Sequence, residues 1–361
     1  MSKTVENSER TRELLQKHKQ DYPKLQAEDV FKYLFQSAFG CEHMISDEGT
    51  ALDRILREYE TCDKTKEPLK ERLDGGYSRV HLSFLGGGLT PETLAKLFFL
   101  SAQKEAEGRI SLEQKLHVAR ALAADGAFPF DADDFDAKWY HWRAMGYPAV
   151  HHSETFRSAY HPAYRVIAER YAEVLDIFTA IDKLLRKGHA IIALEGGSAS
   201  GKTTLAGILQ QVYDCNVFHM DDFFLRPEQR TPQRLAEVGG NVDRERFSDE
   251  VLSSLGQGRS VRYRRFDCST QTLGETITVE PKKLTLVEGV YATHPAFSRY
   301  YDLAVFLDID AAYQKERILK RNAPALAQRF FDEWIPLENI YFQGTGIKDR
   351  SDLVLPIRKK T

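Results

Sequence analysis

The residues whose types and spacing most directly specify chemistry are Gly196, Gly197, Ser198, Ala199, Ser200, Gly201, Lys202 and Thr203. Together they satisfy the pattern G-x-x-x-x-G-K-[ST] in full. Its glycines let the chain curl until successive backbone N–H groups point inward, where they can hold phosphate oxygens. A helix starting at the lysine adds the partial positive charge of its N-terminus. The run His189–Leu194 before the motif is short and continuously apolar, and Thr204 to Val212 after it has a helical pattern. The motif therefore joins a buried strand to a helix, the context that phosphate binding requires. Lys202 is expected to reach the β- and γ-phosphates of ATP, and the Thr203 hydroxyl to ligate Mg²⁺.

A phosphate loop serves kinases and hydrolytic switches alike, so the acceptor side must be sought at other strand ends. The apolar run Val217–Met220 leads into Asp221, Asp222, Phe223 and Phe224. In an open α/β sheet the carboxyl ends of the strands line the site. An aspartate there can take the proton of an acceptor hydroxyl and align its oxygen with the γ-phosphate. One of the two aspartates is equally suited to cap a helix, and the residue types alone do not choose between them. Leu284–Val287 ends in a further acid, Glu288, which can bind Mg²⁺ through water or hold the acceptor.

The elements that must position these groups follow from the apolar pattern. Buried runs at His189–Leu194, Val217–Met220, Leu284–Val287, Leu303–Leu307 and Leu353–Leu355 alternate with helical stretches. That alternation predicts an α/β fold with a doubly wound, five-stranded parallel sheet over residues 187–361. Residues 1–186 read differently, as a mostly α-helical accessory domain. Helices are expected at Ala27–Phe39, Ala51–Tyr59, Pro91–Ala106 with Thr90 as its cap, Ser111–Ala124 with Ser111 as its cap, Asp131–Trp142 and Pro162–Leu185. Residues up to about 20 read as a polar arm or exposed helix, and Val80–Phe84 as part of one small strand pair. The histidines His43, His117, His141, His151, His152 and His161 form no metal signature, and Trp139, Tyr140, Trp142, Tyr147 and Tyr160 read as core.

Composition narrows the classes further. In 361 residues with 42% hydrophobic and 29% charged side chains, a net charge of −3 gives no global attraction to nucleic acid or anionic membrane. Four widely spaced cysteines without a CxxC pair read as reduced thiols, and the polar N-terminus has no apolar signal core. A cytoplasmic protein without nucleic-acid or membrane partners is expected, and a homodimer is compatible with this reading.

Gly196–Thr204, Asp221–Phe224, Asn241–Asp243, Phe266-Asp267, Val287–Gly289 and Arg317–Arg321 occur in the order found in the uridine kinase/phosphoribulokinase group of P-loop kinases, which the C-terminal half resembles. The resemblance implies that Gly196 through Thr204 and Arg321 bind ATP, and that Thr203 and Glu288 serve Mg²⁺. It implies catalytic roles for Asp221 as base and for Lys202, Glu288 and Arg317. It places Asp222, Asp243, Phe266 and Asp267 at the acceptor. The histidine and arginine that help uridine kinases recognise the base are absent after Phe266-Asp267, where Cys268–Leu273 stands. The expected activity is transfer of the γ-phosphate to a hydroxyl of a small molecule such as a nucleoside, sugar or sugar phosphate. The rival expectation is an ATP-dependent switch whose nucleotide state controls partner binding by the helical half. The segment Glu338–Gly344 nearly matches a viral protease recognition sequence, and the strand expected after it marks it as native.

Overall fold

The computed structural model describes residues 3–41, 47–102 and 108–359. Contacts divide the chain into two compact units, Met1–Thr179 and Ala180–Thr361, described separately below. Among the described residues no helix is long and apolar enough to cross a membrane.

The first unit is helical around a small antiparallel sheet. Helices Ala27–Phe39, Glu48–Thr61, Pro91–Leu100 and Ala132–Ala144 form where the 3.6-residue period expects them. Asp47, Thr90 and Asp131 each accept the backbone N–H three residues on. Of the polar arm or exposed helix expected up to about residue 20, the helix forms, Lys3–Asp21, and it buries Leu15 and packs on the helix Gly108–Ala124. Three expectations need correction. Ser111 does not cap that second helix but lies inside it, because the helix already starts at Gly108. Pro162–Leu185 is not one helix. Its start is a strand, Tyr164–Ala168, whose Val166 and Ile167 are buried, and helices Glu169–Ala172 and Leu175–Leu185 follow. The strand pair is in fact three strands, β1 (Lys70–Arg72), β2 (Tyr77–His81) and β3 (Tyr164–Ala168), in the order β1-β2-β3. The expected aromatic core is partial: Trp142 and Tyr147 are buried, whereas Tyr140 is 76% exposed. His43 and residues 103–106 lie outside the described residues.

The second unit holds β4 (Ala190–Gly196), β5 (Cys215–His219), β6 (Val261–Asp267), β7 (Thr272–Val279), β8 (Leu284–Glu288), β9 (Leu303–Ile309) and β10 (Leu353–Ile357). Five of them form a wholly parallel sheet in the order β10-β9-β4-β8-β5. Every residue of β4 and β8 is buried, which is why these strands read as continuous apolar runs rather than alternating ones. β6 and β7 form a separate hairpin that alternates instead: Val261 and Tyr263 join the core and Phe266 is buried, while Arg262, Arg264 and Arg265 face out. A register shift between Arg264 and Phe266 makes this alternation possible with two arginines in succession. Because β4 is central and the chain winds outward from it on both sides, the carboxyl ends of β4, β5 and β8 meet at one edge of the sheet.

Candidate active site

Sheet register builds the site. Glu288 at the end of β8 pairs with Leu194 on β4 and with His219 on β5, so the segments that follow β4 and β5 leave the sheet at one level. After β4 the chain turns through Gly196–Gly201 into the helix Lys202–Val212. Gly196 has φ +146°, and a Cβ there would lie 2.6 Å from the Leu307 carbonyl oxygen. Ala199 holds φ +61°, a left-handed conformation uncommon for a residue with a side chain. The Lys202 ammonium folds back over the loop and donates to the carbonyls of Gly196 (2.8 Å) and Gly197 (3.0 Å). The Ser200 hydroxyl is buried and, among the described residues, has no hydrogen-bond partner. Thr204 follows in the first turn of the helix.

Glu288 joins the loop to β5. It accepts a hydrogen bond from the Thr203 hydroxyl at 3.0 Å and contacts His219 Nδ1 at 2.6 Å. Burial opposes ionisation of Glu288, but the His219 hydrogen bond and the charges of His219 and Lys202 hold its pKa below the ordinary value. That same hydrogen bond raises the pKa of His219. Gly289, next in the chain, has φ +148°, and a Cβ there would meet Met220 Cβ at 2.5 Å. Glycine thus lets the β8 turn close on the residue that leads into Asp221.

The two aspartates after β5 differ. Asp222 contacts Arg265 Nε at 3.3 Å and accepts from the Tyr263 hydroxyl at 3.3 Å, so its carboxylate is tied to the β6 strand. Among the described residues Asp221 has no hydrogen bond or ion pair, and the residue is exposed to solvent. Desolvation by neighbouring protein atoms nevertheless raises its pKa, against the opposing charge of Lys202 and with the added repulsion of Glu288. The segment that sequence offered as an undivided pair thus contains one tethered acid and one free acid.

Other residues singled out from sequence spread around this centre. Buried Asp243 caps a short helix at the Arg246 N–H (3.1 Å) and accepts from Gln229 Nε2 at 2.8 Å. Phe266 is buried, with the Arg230 guanidinium 6.0 Å from its ring centroid. Asp267 is turned into the β6–β7 loop, where it accepts from the backbone N–H (2.7 Å) and hydroxyl (2.6 Å) of Ser269. Arg317 reaches the phosphate loop, with Nη1 3.5 Å from the Ser200 carbonyl oxygen. Arg321 stacks on Phe330, 5.9 Å from its ring centroid. Among the described residues no three His, Cys, Asp or Glu side chains gather to hold a metal ion.

Four participants escaped the sequence reading: Glu338, Glu195, Arg246 and His219. Glu338 lies in the helix Ile335–Thr345 and is buried; its carboxylate accepts from the Ser198 backbone N–H at 2.9 Å and from the Ser198 hydroxyl. Burial raises its pKa. Glu195, the fully buried residue before Gly196, accepts from the Gly196 N–H (2.9 Å), the Thr293 N–H (3.0 Å) and the Tyr341 hydroxyl (3.2 Å). Desolvation outweighs these bonds and pushes its pKa up to about 7. Arg246 donates to the carbonyls of Asp222 and Arg264, both at 2.6 Å, and so fixes the acceptor-side loop against the hairpin. Only His219 had a sequence signal, two positions before Asp221 on an apolar strand.

The comparisons with known proteins concern one half of the chain. No family model matches. The uridine kinase of Macrococcus caseolyticus is 28% identical over 186 residues, covering 46% of this chain and 87% of that protein. The uridine kinase of Chloroflexus aurantiacus is 33% identical over 141 residues, 37% of this chain and 67% of that protein. A solved structure of a possible uridine kinase from Bacillus stearothermophilus aligns with 50% of this chain and 99% of that one, at 21% identity and a TM-score of 0.37.

Proposed function

We propose, from the premise that the chain belongs to the uridine kinase-like P-loop kinase family through its C-terminal half, that residues 187–361 are a kinase domain transferring the γ-phosphate of ATP to a hydroxyl of a small molecule. Residues 1–186 are, in this reading, an accessory domain. The observation that carries the proposal is Asp221: an untethered carboxylate at the carboxyl end of β5, within electrostatic reach of Lys202.

The residues present suit a magnesium-bound nucleotide. The glycine-lined turn, the unpartnered Ser200 hydroxyl and the Lys202 ammonium form a donor-rich cradle, and Thr203 with Glu288 supplies a hydroxyl and an ionised carboxylate. When bound, Mg²⁺ neutralises negative charge on the phosphates. Phosphates offer Lys202 stronger, charge-assisted partners than the two carbonyls it now holds. Arg317 lies beside the same turn and supplies a second positive charge where charge shifts during transfer.

On the acceptor side Asp221 orients the hydroxyl and takes its proton as the oxygen attacks. Its raised pKa makes it a stronger base than an ordinary aspartate, and the transfer rate falls as pH drops through that pKa. Asp222 and Asp243 hold the surrounding loop in place through Arg265, Gln229 and Arg246.

The test is ADP release over a panel of nucleosides, sugars, sugar phosphates and vitamins. One acceptor class should stimulate release, and Lys202→Ala should abolish the stimulated rate. ADP release that no acceptor stimulates would instead support the ATP-dependent switch.

A further inference from the structure

The first unit contains a cavity of about 170 Å³ that the kinase reading does not use. One wall comes from Lys32 and Gln36, four residues apart on the helix Ala27–Phe39, and another from Arg54 and Glu58, four apart on Glu48–Thr61. Residues at that spacing share a helix face, so each helix presents a polar pair to the same space. The floor is Tyr164 and Arg165 on β3 together with His152.

The charges do not cancel. Glu58 is taken by Arg165, whose Nη1 lies 2.8 Å from Oε2. Lys32 donates to the Val150 carbonyl at 2.9 Å, and among the described residues neither it nor Arg54 has an ion-pair partner. Burial and the nearby Arg79 charge lower the Lys32 pKa to about 8, a cost that a bound anion would relieve.

The floor is fixed by a hydrogen-bond chain. Asp29, kept ionised by its bonds to His152 and Ser153 despite burial, accepts from His152 Nδ1 at 2.9 Å. Burial keeps His152 neutral, with a pKa lowered to about 4, so its Nε2 is left as the acceptor for the Tyr164 hydroxyl at 2.7 Å. Beneath them Arg79 is buried, donates from Nε to Gln36 Oε1 at 2.9 Å and stacks on Tyr164 at 4.7 Å, while among the described residues its Nη2 has no hydrogen-bond partner. A mere packing void does not call for three cations around it and a rigid polar floor, since buried polar groups cost stability unless they are satisfied.

We propose that this cavity is a second ligand site, which binds a small molecule through its phosphate or carboxylate group by means of Lys32 and Arg54, with Tyr164 and Gln36 as polar contacts. The inference is independent of the kinase reading.

The experiment is isothermal titration of the full-length chain carrying Lys202→Ala, which weakens phosphate binding at the other unit. Inorganic phosphate and succinate are the probes, at constant ionic strength. At least one should bind saturably, and adding Arg54→Gln should weaken it about tenfold, the loss expected for one charge-assisted contact. Arg54 is exposed at the cavity mouth, so its substitution leaves the fold intact. Lys32→Gln should have an effect at least as large. Binding of phosphate alone would assign a phosphorylated ligand, and of succinate alone a carboxylate. No saturable binding of either probe, or affinity unchanged by Arg54→Gln, would overturn the proposal.

Discussion

Each unit has buried carboxylates, and apart from Glu288, which His219 holds ionised, the acids of the second unit are compensated less than those of the first. In the first unit burial alone would raise the pKa of Glu71, but the His81 hydrogen bond at 2.7 Å and the Arg79 charge drive it well below the ordinary range. Asp29 is likewise held ionised by His152 and Ser153. In the second unit desolvation raises the pKa values of the buried Glu195 and Glu338 and of the more exposed Asp221, and among the described residues none of the three has a cation at ion-pair distance. Paired acids fasten the first unit's small sheet. Under-compensated acids cluster around a phosphate loop, where shifted titration marks chemistry more often than architecture.

The contrast can be broken most forcefully at Glu71. Glu71→Gln leaves the fully buried Arg79 without its counter-charge and should cost about 3–5 kcal/mol in the first unit. Faster hydrogen exchange at the β2 amides would register that loss, and exchange unchanged from wild type would show that the pair does not fasten the sheet.

Glu195 sharpens the contrast through pH. Its folded pKa lies above its unfolded one, so the folded state holds the extra proton between the two values, and stability falls as pH rises. From the ordinary 4.5 to about 7 the change is on the order of 3 kcal/mol. Glu71 has the opposite sign: its contribution is present above its unfolded pKa and is lost on acidification. Denaturant titrations across that pH range should show the second unit weakening with rising pH, and Glu195→Gln should flatten the slope. An unchanged slope would mean that Glu195 is already ionised in the fold.

The smallest expected effect belongs to Glu338. Its carboxylate accepts from the Ser198 N–H, in the loop proposed to receive phosphate. Two anions on one donor repel, so Glu338→Gln should lower the KM for ATP about threefold with little change in kcat. A raised KM would identify Glu338 as a support of the loop rather than a competitor for it.

How much of this was legible follows from sequence distance. The phosphate loop, its strand and its helix are contiguous, and local pattern is enough to read them. The parallel sheet was legible because strands buried on both faces leave unbroken apolar runs. Glu338 was invisible because 140 residues separate it from Ser198 and only the fold unites them. It was read merely as part of a protease-like segment, which is in fact a helix burying Glu338 and Tyr341. Strand β3 was absorbed into a helix because Tyr164–Ala168 runs straight into the helical Glu169–Ala172. The preceding His161-Pro162 and the β-branched Val166-Ile167 were the overlooked signal. Asp221 and Asp222 could not be separated in sequence, since what distinguishes them is Arg265, placed by a hairpin that the linear pattern does not position.

The central claim is that Asp221 activates a hydroxyl facing the phosphate loop, and Asp221→Asn tests it most directly. The variant should bind ATP with near-native affinity while kcat for the stimulating acceptor drops by about 10²–10⁴-fold. Full turnover by Asp221→Asn, with the same pH profile as wild type, would contradict the account.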